Sequence, residues 1–204
     1  MNNTTKPLVG VRVLVTRPAA QAQSLIQRIE QAGGEAIRFP TLEITAACDV
    51  AALERVLTDI ARFDLAIFIS PNAVAHGLTH LKAYGGLPPR LAIAAIGRGT
   101  AKTLTDAGVT GVISPTEGAD SESLLALPEL GDVSGKHVVI FRGEGGRALL
   151  GDTLRARGAQ VAYAECYRRV RPDTDAAPLG ARLRDNGIDI VTVTSVESLR
   201  NLHD

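Results

Sequence analysis

The stretch Val138-Val139-Ile140-Phe141-Arg142-Gly143-Glu144-Gly145-Gly146-Arg147-Ala148-Leu149-Leu150 decides the fold of this chain. Its apolar first part is typical of a strand that is covered on both faces of a parallel sheet. The glycines that follow allow positive φ angles and a close approach of the backbone to a ligand. A helix that starts after them directs free N–H groups above the strand end, which favours anions. The stretch therefore predicts a buried strand, a glycine-rich turn and a helix start that can bind an anion.

Strand and helix patterns alternate along the rest of the chain. Predicted strands begin near residues 11, 35, 65, 91, 109, 138, 160 and 190, and residues 42–45 are also extended. An amphipathic helix or a glycine-bounded turn follows most of them. This alternation predicts an α/β protein with parallel sheets and right-handed crossovers.

A sparse copy of the opening stretch lies near the start of the chain. An offset of 125 residues brings identical residues together in two separated blocks: Gly10 and Gly135, Val13 and Val138, Arg17 and Arg142, Leu25 and Leu150, Gly33 and Gly158, Asp64 and Asp189, Ser70 and Ser195. The predicted strands, turns and helix starts fall in register at the same offset without a gap. We therefore predict an internal duplication.

The duplication predicts two flavodoxin-like lobes with an unusual chain path. Residues 1–39 and 169–204 form the first lobe, and residues 40–168 form the second, with the strands near 65, 91, 110, 137 and 160 in one five-stranded sheet. The chain crosses twice, near Pro40 and near Tyr167, which predicts a two-strand hinge with a cleft above it. At the same offset, copies of the strands near 91 and 110 fall beyond Asp204. We therefore expect the first lobe to be incomplete or disordered at its C-terminal side.

The composition limits the kinds of partner. The chain of 204 residues has 22 basic and 22 acidic side chains, so global charge favours neither a nucleic acid nor a membrane surface. Cys48 and Cys166 are too few for a disulfide scaffold or a cysteine zinc site. The start of the chain lacks the apolar core of a signal peptide, and no apolar run reaches the roughly 20 residues of a membrane span. We expect a soluble cytoplasmic protein with reduced thiols.

Six motifs, in this order and spacing, resemble the uroporphyrinogen-III synthase family over essentially the full length. They are residues 13–18 (VLVTRP), 67–74 (IFISPNAV), 95–97 (AIG) with Thr100-Ala101, 141–143 (FRG) with Gly146-Arg147, 167–169 (YRR), and Thr194-Ser195 with Leu199. The resemblance implies two α/β lobes joined by a pair of strands, with the active site in the cleft between them. Family members continue for about 50 residues with a further turn of the Gly-x-x-Thr-Ala type. Its absence from the sequence in hand leaves that half of the site uncertain.

The resemblance implies an enzyme without cofactor or metal that acts in the biosynthesis of haem, sirohaem and cobalamin. Such an enzyme closes linear hydroxymethylbilane into uroporphyrinogen III and inverts the last pyrrole ring, ring D, through a spiro intermediate. The implied partner is this small linear tetrapyrrole, and we expect a monomer without nucleic-acid or membrane partners. A non-catalytic two-lobed module that binds a tetrapyrrole precursor for regulation is the alternative function. A nucleotide- or sugar-phosphate-binding protein is disfavoured because the glycine loop matches no phosphate-binding fingerprint.

Tyr167 is the candidate acid that assists departure of the substrate hydroxyl, since it matches a tyrosine that the family keeps facing the cleft. The alternative is a tyrosine that packs between the lobes and caps a carbonyl. His76 and His80 share the spacing of a helical zinc pair, but no third ligand is evident. We therefore expect no metal.

The candidate substrate-binding residues lie where predicted strands meet turns or helix starts. They are Arg17, Ser70, Asn72, Gly97, Thr100, Arg142, Gly143, Arg147 and Ser195. The hydroxyls of Ser70, Thr100 and Ser195 can hold carboxylates, or can serve as helix N-caps alone.

Arg17 and Arg142 occupy equivalent strand ends and can grip one polycarboxylate from its two sides, or can bond a loop carbonyl or a carboxylate within the protein. Arg147 and the run Arg168-Arg169-Arg171 can add positive potential at the cleft. A solvated basic face is the simpler interpretation of that run.

Overall fold

The structure is a computed structural model that describes residues 6–203. Its strands are β1 (Arg12–Val15), β2 (Glu35–Arg38), β3 (Glu43–Thr45), β4 (Leu65–Phe68), β5 (Ala92–Ala95), β6 (His137–Gly143), β7 (Gln160–Val170) and β8 (Ile190–Thr192). Its α-helices are α1 (Ala19–Gln31), α2 (Val50–Thr58), α3 (Pro71–Leu81), α4 (Arg98–Asp106), α5 (Ser121–Leu125), α6 (Leu149–Ala156), α7 (Ala177–Arg184) and α8 (Val196–His203). The strands form two parallel-dominated sheets, so the predicted α/β class is confirmed.

The chain divides into two compact units. Unit 1 comprises residues 1–45 and 169–204, and unit 2 comprises residues 46–168. The chain passes from one unit to the other at Thr45–Ala46 and at Arg168–Arg169.

Unit 1 contains a three-stranded parallel sheet in the order β2-β1-β8. Arg12 pairs with Glu35 on one side of β1, and Val13 pairs with Ile190 on the other. One face of the sheet packs on α1, whose apolar positions recur at helical spacing and include the buried Ile26 and Ile29.

The larger sheet has the order β3-β7-β6-β4-β5. Strands β7, β6, β4 and β5 are parallel, with His137 opposite Gln160 and Leu65 opposite Val138. All four residues of β4 are buried, as expected for a central strand with helices on both faces. The ladder shifts register between Arg142 and Gly143, a bulge that changes which β7 side chains lie opposite the end of β6.

The predicted strand at residues 109–114 is wrong. Only Ile113 forms an isolated bridge, to Ala94 of β5. Gly108, just before the segment, and Gly111, within it, have φ angles of +89° and +67°, which interrupt extended backbone. The fifth strand of the larger sheet is therefore β3 and not this segment.

Helix starts were predicted well where a cap residue marks them. Ser70 precedes α3, Pro71 is its first residue, and the Ser70 side chain accepts a hydrogen bond from the backbone N–H of Ala73. Helix α4 begins at Arg98, so that Gly97 and not Thr100 precedes it, and no side chain caps its start.

No helix among residues 6–203 has the length and apolar character needed to cross a bilayer. The prediction about a signal peptide concerns in part residues 1–5, which lie outside the described residues, as does Asp204.

Candidate functional site in unit 2

The ends of β4, β6 and β7 bring three predicted site residues together. Ser70 follows β4, Gly143 ends β6, and Tyr167 lies opposite Gly143 in the ladder. In parallel strands the carboxyl ends share one edge of the sheet, which is where open α/β sheets bind ligands. The bulge leaves Cys166 out of the pairing, so that Tyr167 and not Cys166 faces Gly143.

The Ser70 hydroxyl links the start of α3 to the phenol of Tyr167. Its Oγ accepts a hydrogen bond from the N–H of Ala73 at 3.0 Å and lies 3.1 Å from the Tyr167 hydroxyl oxygen. Tyr167 is 3% exposed. The phenol therefore bonds to a serine that is itself held by a helix N-terminus. Ser70 is both an N-cap and part of the site.

The ring of Tyr167 is fixed by close neighbours. A Cβ atom at Gly143 would lie 2.7 Å from the ring, so only glycine permits this approach. The His76 ring lies 5.4 Å from the Tyr167 ring, centroid to centroid, at an interplanar angle of 30°. Burial, and next the neighbouring His80, lower the pKa of His76, so its neutral form is favoured beside the tyrosine.

Arg142 is buried at the end of β6, with 5% of its surface exposed. Its Nε donates to the Gly143 carbonyl at 3.2 Å and lies 3.6 Å from a carboxylate oxygen of Glu165. Its guanidinium carbon lies 4.8 Å from the centroid of the Tyr163 ring. The acceptor carbonyl belongs to the last residue of β6 and not to a loop. This bond occupies only one of the three nitrogens.

Gly97, Thr100 and Asn72 lie in or next to the first turns of helices in unit 2. A Cβ atom at Gly97 would lie 2.7 Å from the Cβ atom of Ala119, so glycine is required for this packing. Thr100 is buried inside α4 and is not its N-cap. Asn72 is half-buried in the first turn of α3.

The remaining arginines lie at the surface. Arg147 is exposed and forms a two-point ion pair with Glu122, at 3.0 and 3.2 Å. Arg168 and Arg171 are exposed, and Arg169 pairs with Glu197 at 3.0 Å. These geometries agree with a solvated basic face more than with a buried anion site.

Two site predictions fall in unit 1. Ser195 precedes α8 and its Oγ accepts a hydrogen bond from the N–H of Ser198 at 3.0 Å, which makes it a helix cap. Arg17 follows β1 and is half-buried; its Nε is buried and has no hydrogen-bond partner within residues 6–203.

Sequence reasoning missed Tyr163, Glu165 and the ring contact of His76. Tyr163 lies opposite Ile140 and Glu165 opposite Arg142 in the ladder between β6 and β7, two strands that the sequence placed in one sheet without giving their order. Tyr163 and Glu165 are two residues apart in β7, so their side chains share one face of the strand, and this spacing was the signal available in the sequence. The contact of His76 depends on the rotation of α3 over the sheet, which no sequence pattern specifies.

No cluster of three or more potential metal-binding side chains occurs among the described residues.

Comparisons with known proteins identify the family and the fold. The family model described as uroporphyrinogen-III synthase HemD matches residues 23–204. The uroporphyrinogen-III synthases of Salmonella typhimurium and Escherichia coli are 37% and 38% identical over 191 residues, which is 93% of this chain and 78% of each relative.

A crystal structure of a mutant uroporphyrinogen III synthase from the extremely thermophilic bacterium Thermus thermophilus has a TM-score of 0.67 and 20% identity, covering 94% of this chain and 75% of that chain. At this identity the likeness shows the fold alone. The family model and the two enterobacterial relatives show more: this chain belongs to the uroporphyrinogen-III synthase HemD family.

Proposed function

We propose that this chain is the cyclising hydro-lyase that converts hydroxymethylbilane to uroporphyrinogen III, with inversion of ring D through a spiro intermediate. Family membership and the names of the relatives support the reaction. The observation that carries the proposal is the contact of Tyr167 with Ser70, whose Oγ is bound by the Ala73 N–H.

Tyr167 is proposed as the acid that protonates the departing hydroxyl group. Because Ser70 Oγ accepts from Ala73, its own proton is free to point at the Tyr167 oxygen, and the phenol O–H is then free to point at the substrate. A serine that donates to the phenol oxygen stabilises the negative charge that develops there, and the positive end of α3 adds to the effect.

The proposed step balances as a loss of water. The phenol proton joins the hydroxyl group, the C–O bond breaks, and a pyrrole N–H releases a proton that returns to the phenolate. The resulting azafulvene forms a C–C bond with the substituted α-carbon of ring D, which gives the spiro intermediate. The bond from that carbon to the methylene bridge of ring C then breaks, and the bridge joins the free α-carbon of ring D, which loses its proton. An acid accounts for about 10²–10⁴-fold of the rate. Positioning of a flexible chain contributes more, since well-oriented reactions gain about 7–11 kcal/mol.

The remaining predicted residues are proposed to bind the substrate carboxylates. In unit 2 they are Ser70, Asn72, Gly97, Thr100, Arg142, Gly143 and Arg147; in unit 1 they are Arg17 and Ser195. The buried Nε of Arg17 and the buried guanidinium of Arg142 support a role for these two arginines. The substrate is a small linear tetrapyrrole, and the proposed enzyme works as a cytoplasmic monomer without cofactor, nucleic acid or membrane.

We further propose that the two units are lobes related by duplication, and that the two chain passages between them form a hinge. Matching strand pairs at an offset of 125 residues support the duplication. The sheet order β2-β1-β8 corresponds to β7-β6-β4. Arg12 pairs with Glu35 as His137 pairs with Gln160, and Val13 pairs with Ile190 as Val138 pairs with Leu65.

Equivalent polar contacts support the duplication further. The N–H of Arg12 donates to Asp189 at 2.7 Å, and the N–H of His137 donates to Asp64 at 2.8 Å. Ser195 caps α8 with the same 3.0 Å bond by which Ser70 caps α3.

The experiment supplies hydroxymethylbilane to the folded protein, oxidises the products and separates the isomers. We expect predominantly the type III isomer, formed faster than the spontaneous closure to type I. Predominantly type I product at the spontaneous rate would contradict the proposed function. The regulatory alternative predicts that result together with retained binding of the substrate.

A further inference from the structure

The charge of Arg142 is only partly compensated within the protein. Its Nε is bonded and lies near Glu165, but the Glu165 side chain is 44% exposed and shares its charge with solvent. Within residues 6–203, the two terminal amino groups of Arg142 make no hydrogen bond. Leaving the terminal nitrogens of a largely buried guanidinium without hydrogen bonds is costly, since buried charges are normally both paired and hydrogen-bonded.

A cavity of about 200 Å³ lies against this guanidinium. Its apolar wall is formed by Ile69, Ile96, Ile140 and Leu150, and Tyr163 and Arg142 line the same space. We name this space the Arg142 cavity. Its volume suits a single side-chain-sized group and is below the roughly 300–1,000 Å³ of pockets that hold a drug-sized ligand.

The space in front of the guanidinium is kept open by a glycine. A Cβ atom at Gly146 would lie 2.9 Å from a terminal nitrogen of Arg142, and Gly146 has a φ angle of +97° that other residues rarely adopt. The guanidinium carbon of Arg142 lies over the Tyr163 ring at 4.8 Å from its centroid, which restrains the side chain. The orientation of the fork is thus restrained before any ligand enters.

Charges at the rim select the ligand. Arg147 lines the cavity but is already paired with Glu122, and Asp120 caps α5 through the N–H of Ser123 at 2.8 Å. The hydrogen bonds of Asp120 with Ser123 lower its pKa, so it is negative at neutral pH. Among the described residues, Arg142 is thus the one buried positive charge that lines the cavity, and the negative Asp120 lies beside it, so a monoanion fits better than a phosphate dianion.

We propose that the Arg142 cavity binds one carboxyalkyl side chain, with its carboxylate on the two terminal nitrogens and its methylene groups on the isoleucine wall. Planar carboxylates match the guanidinium fork at two points, and apolar walls favour the methylene groups. That the side chain is an acetate or propionate arm of the substrate rests on the proposed function. Arg142 is then a binding residue that fixes the position of one pyrrole ring.

The first test uses butyrate and its neutral isostere butyramide, added to the full chain with ¹³C-labelled isoleucine methyl groups. We expect saturable shifts of the methyl signals of Ile69, Ile96 and Ile140 with butyrate, and binding about tenfold weaker with butyramide, since the carboxylate makes charge-assisted hydrogen bonds. Arg142→Met should abolish the butyrate shifts. Shifts that are equal for both compounds, absent, or retained in Arg142→Met would overturn the site.

The second test measures steady-state turnover of hydroxymethylbilane. For Arg142→Met we expect a rise in KM of about tenfold with an unchanged ratio of type III to type I product, because one binding contact is lost. Arg142→Lys should recover only part of the loss, since lysine lacks the two-point geometry. The matched control is Arg155→Met, because Arg155 stacks on the same ring at 5.2 Å but does not line the cavity.

The outcomes separate this inference from the proposed function. Wild-type protein that makes the type III isomer, combined with a normal KM for Arg142→Met and Arg142→Lys, rejects the substrate arm as ligand. Wild-type protein that makes only type I product rejects the proposed function, while the butyrate titration still decides whether the cavity binds carboxylates. Circular dichroism of each variant verifies that it is folded, and Arg142→Lys provides the comparison if Arg142→Met unfolds.

Discussion

In unit 2 the rings of Phe68 and Phe141 stack with their centroids 4.5 Å apart, whereas the equivalent positions of unit 1, at an offset of 125 residues, hold Val193 and Thr16. Phe68 and Phe141 are fully buried, but Val193 is 37% exposed. Around Thr16, unit 1 has buried hydroxyl groups in place of rings. The same pairing of strands thus accommodates an aromatic stack in one unit and a hydroxyl network in the other, because backbone ladders do not depend on side-chain identity.

The strand ends differ in the same manner. Where unit 2 has Tyr167, unit 1 has Leu42 at the equivalent position of the sequence. Ser70 and Ser195 cap their helices with equal geometry, but only Ser70 has a phenol as a neighbour among the described residues. The shared cap is therefore a property of the scaffold, and the phenol is the addition that the proposed chemistry needs.

Strand burial shows a third difference. Strand β4 is buried at every position, whereas Ile190 and Val191 of the equivalent β8 are more than 40% exposed. Strand β4 has neighbours on both sides, β6 and β5, while β8 pairs with β1 alone among the described residues. Burial thus follows the position of a strand in its sheet.

The largest expected effect tests the aromatic stack. Phe141→Ala should lower the free energy of unfolding of unit 2 by about 3–5 kcal/mol, because it removes a buried ring and leaves a cavity. Hydrogen exchange of the β4 and β6 amides measures it. Phe63→Ala is the matched control with a smaller effect, since Phe63 is only partly buried. An equal loss in both variants would show that the stack contributes nothing beyond ordinary apolar contact.

The second prediction tests the phenol that unit 1 lacks at this position. Tyr167→Phe should reduce the rate of type III formation by about 100-fold or more, the contribution of a general acid, while Ser70 continues to cap α3. Initial rates with hydroxymethylbilane measure it. Tyr84→Phe removes a phenol from a tyrosine outside the site and should leave the rate unchanged. A Tyr167→Phe protein with the wild-type rate would exclude Tyr167 as the acid.

The third prediction tests the hydroxyl network of unit 1. Thr41 Oγ1 lies 2.6 Å from Ser198 Oγ, which also lies 3.1 Å from Thr16 Oγ1. Thr41→Val should reduce the free energy of unfolding by about 1–3 kcal/mol, because buried partners lose their hydrogen bonds. Thermal unfolding measures it, with the exposed Thr79→Val as control. A neutral Thr41→Val would mean that the network adds no stability.

The smallest expected effect concerns acid stability. It tests the contact of Asp189 with Arg12, since the corresponding contact of Asp64 in unit 2 is made by His137 and not by an arginine. Hydrogen bonds from the side chain and then the backbone of Arg12 lower the pKa of Asp189 from 3.8 to about 2. This contribution to stability is therefore complete above the unfolded pKa near 3.8 and is lost as the pH falls through about 2.

Melting temperatures between pH 5 and pH 2 measure the Asp189 contribution. In Asp189→Asn the part of the decline below pH 4 that comes from this pair should be absent. The control is Asp106→Asn, which removes an exposed carboxylate paired with Lys102 on α4. Identical pH profiles for Asp189→Asn and the wild type would show that the contact with Arg12 contributes nothing to stability at low pH.

Local sequence was enough for most elements of the fold. Alternation of apolar runs with capped helices located seven of the eight strands to within a few residues, and residues 42–45 indicated the eighth. The error at residues 109–114 arose because an apolar run suggested a strand, while positive φ at Gly108 and Gly111 bends that segment.

The sequence by itself determined that this is an α/β chain of strand–helix units, with matching strand ends that carry Ser70, Arg142 and Tyr167. Apolar periodicity, caps and glycines are local, so neighbouring residues suffice to specify them. Only the tertiary structure decided that Tyr167 bonds Ser70, that Arg142 faces a cavity, and that β8 is exposed where β4 is buried. These features depend on a bulge, on helix rotation and on strand order, which are fixed by packing between residues distant in the chain.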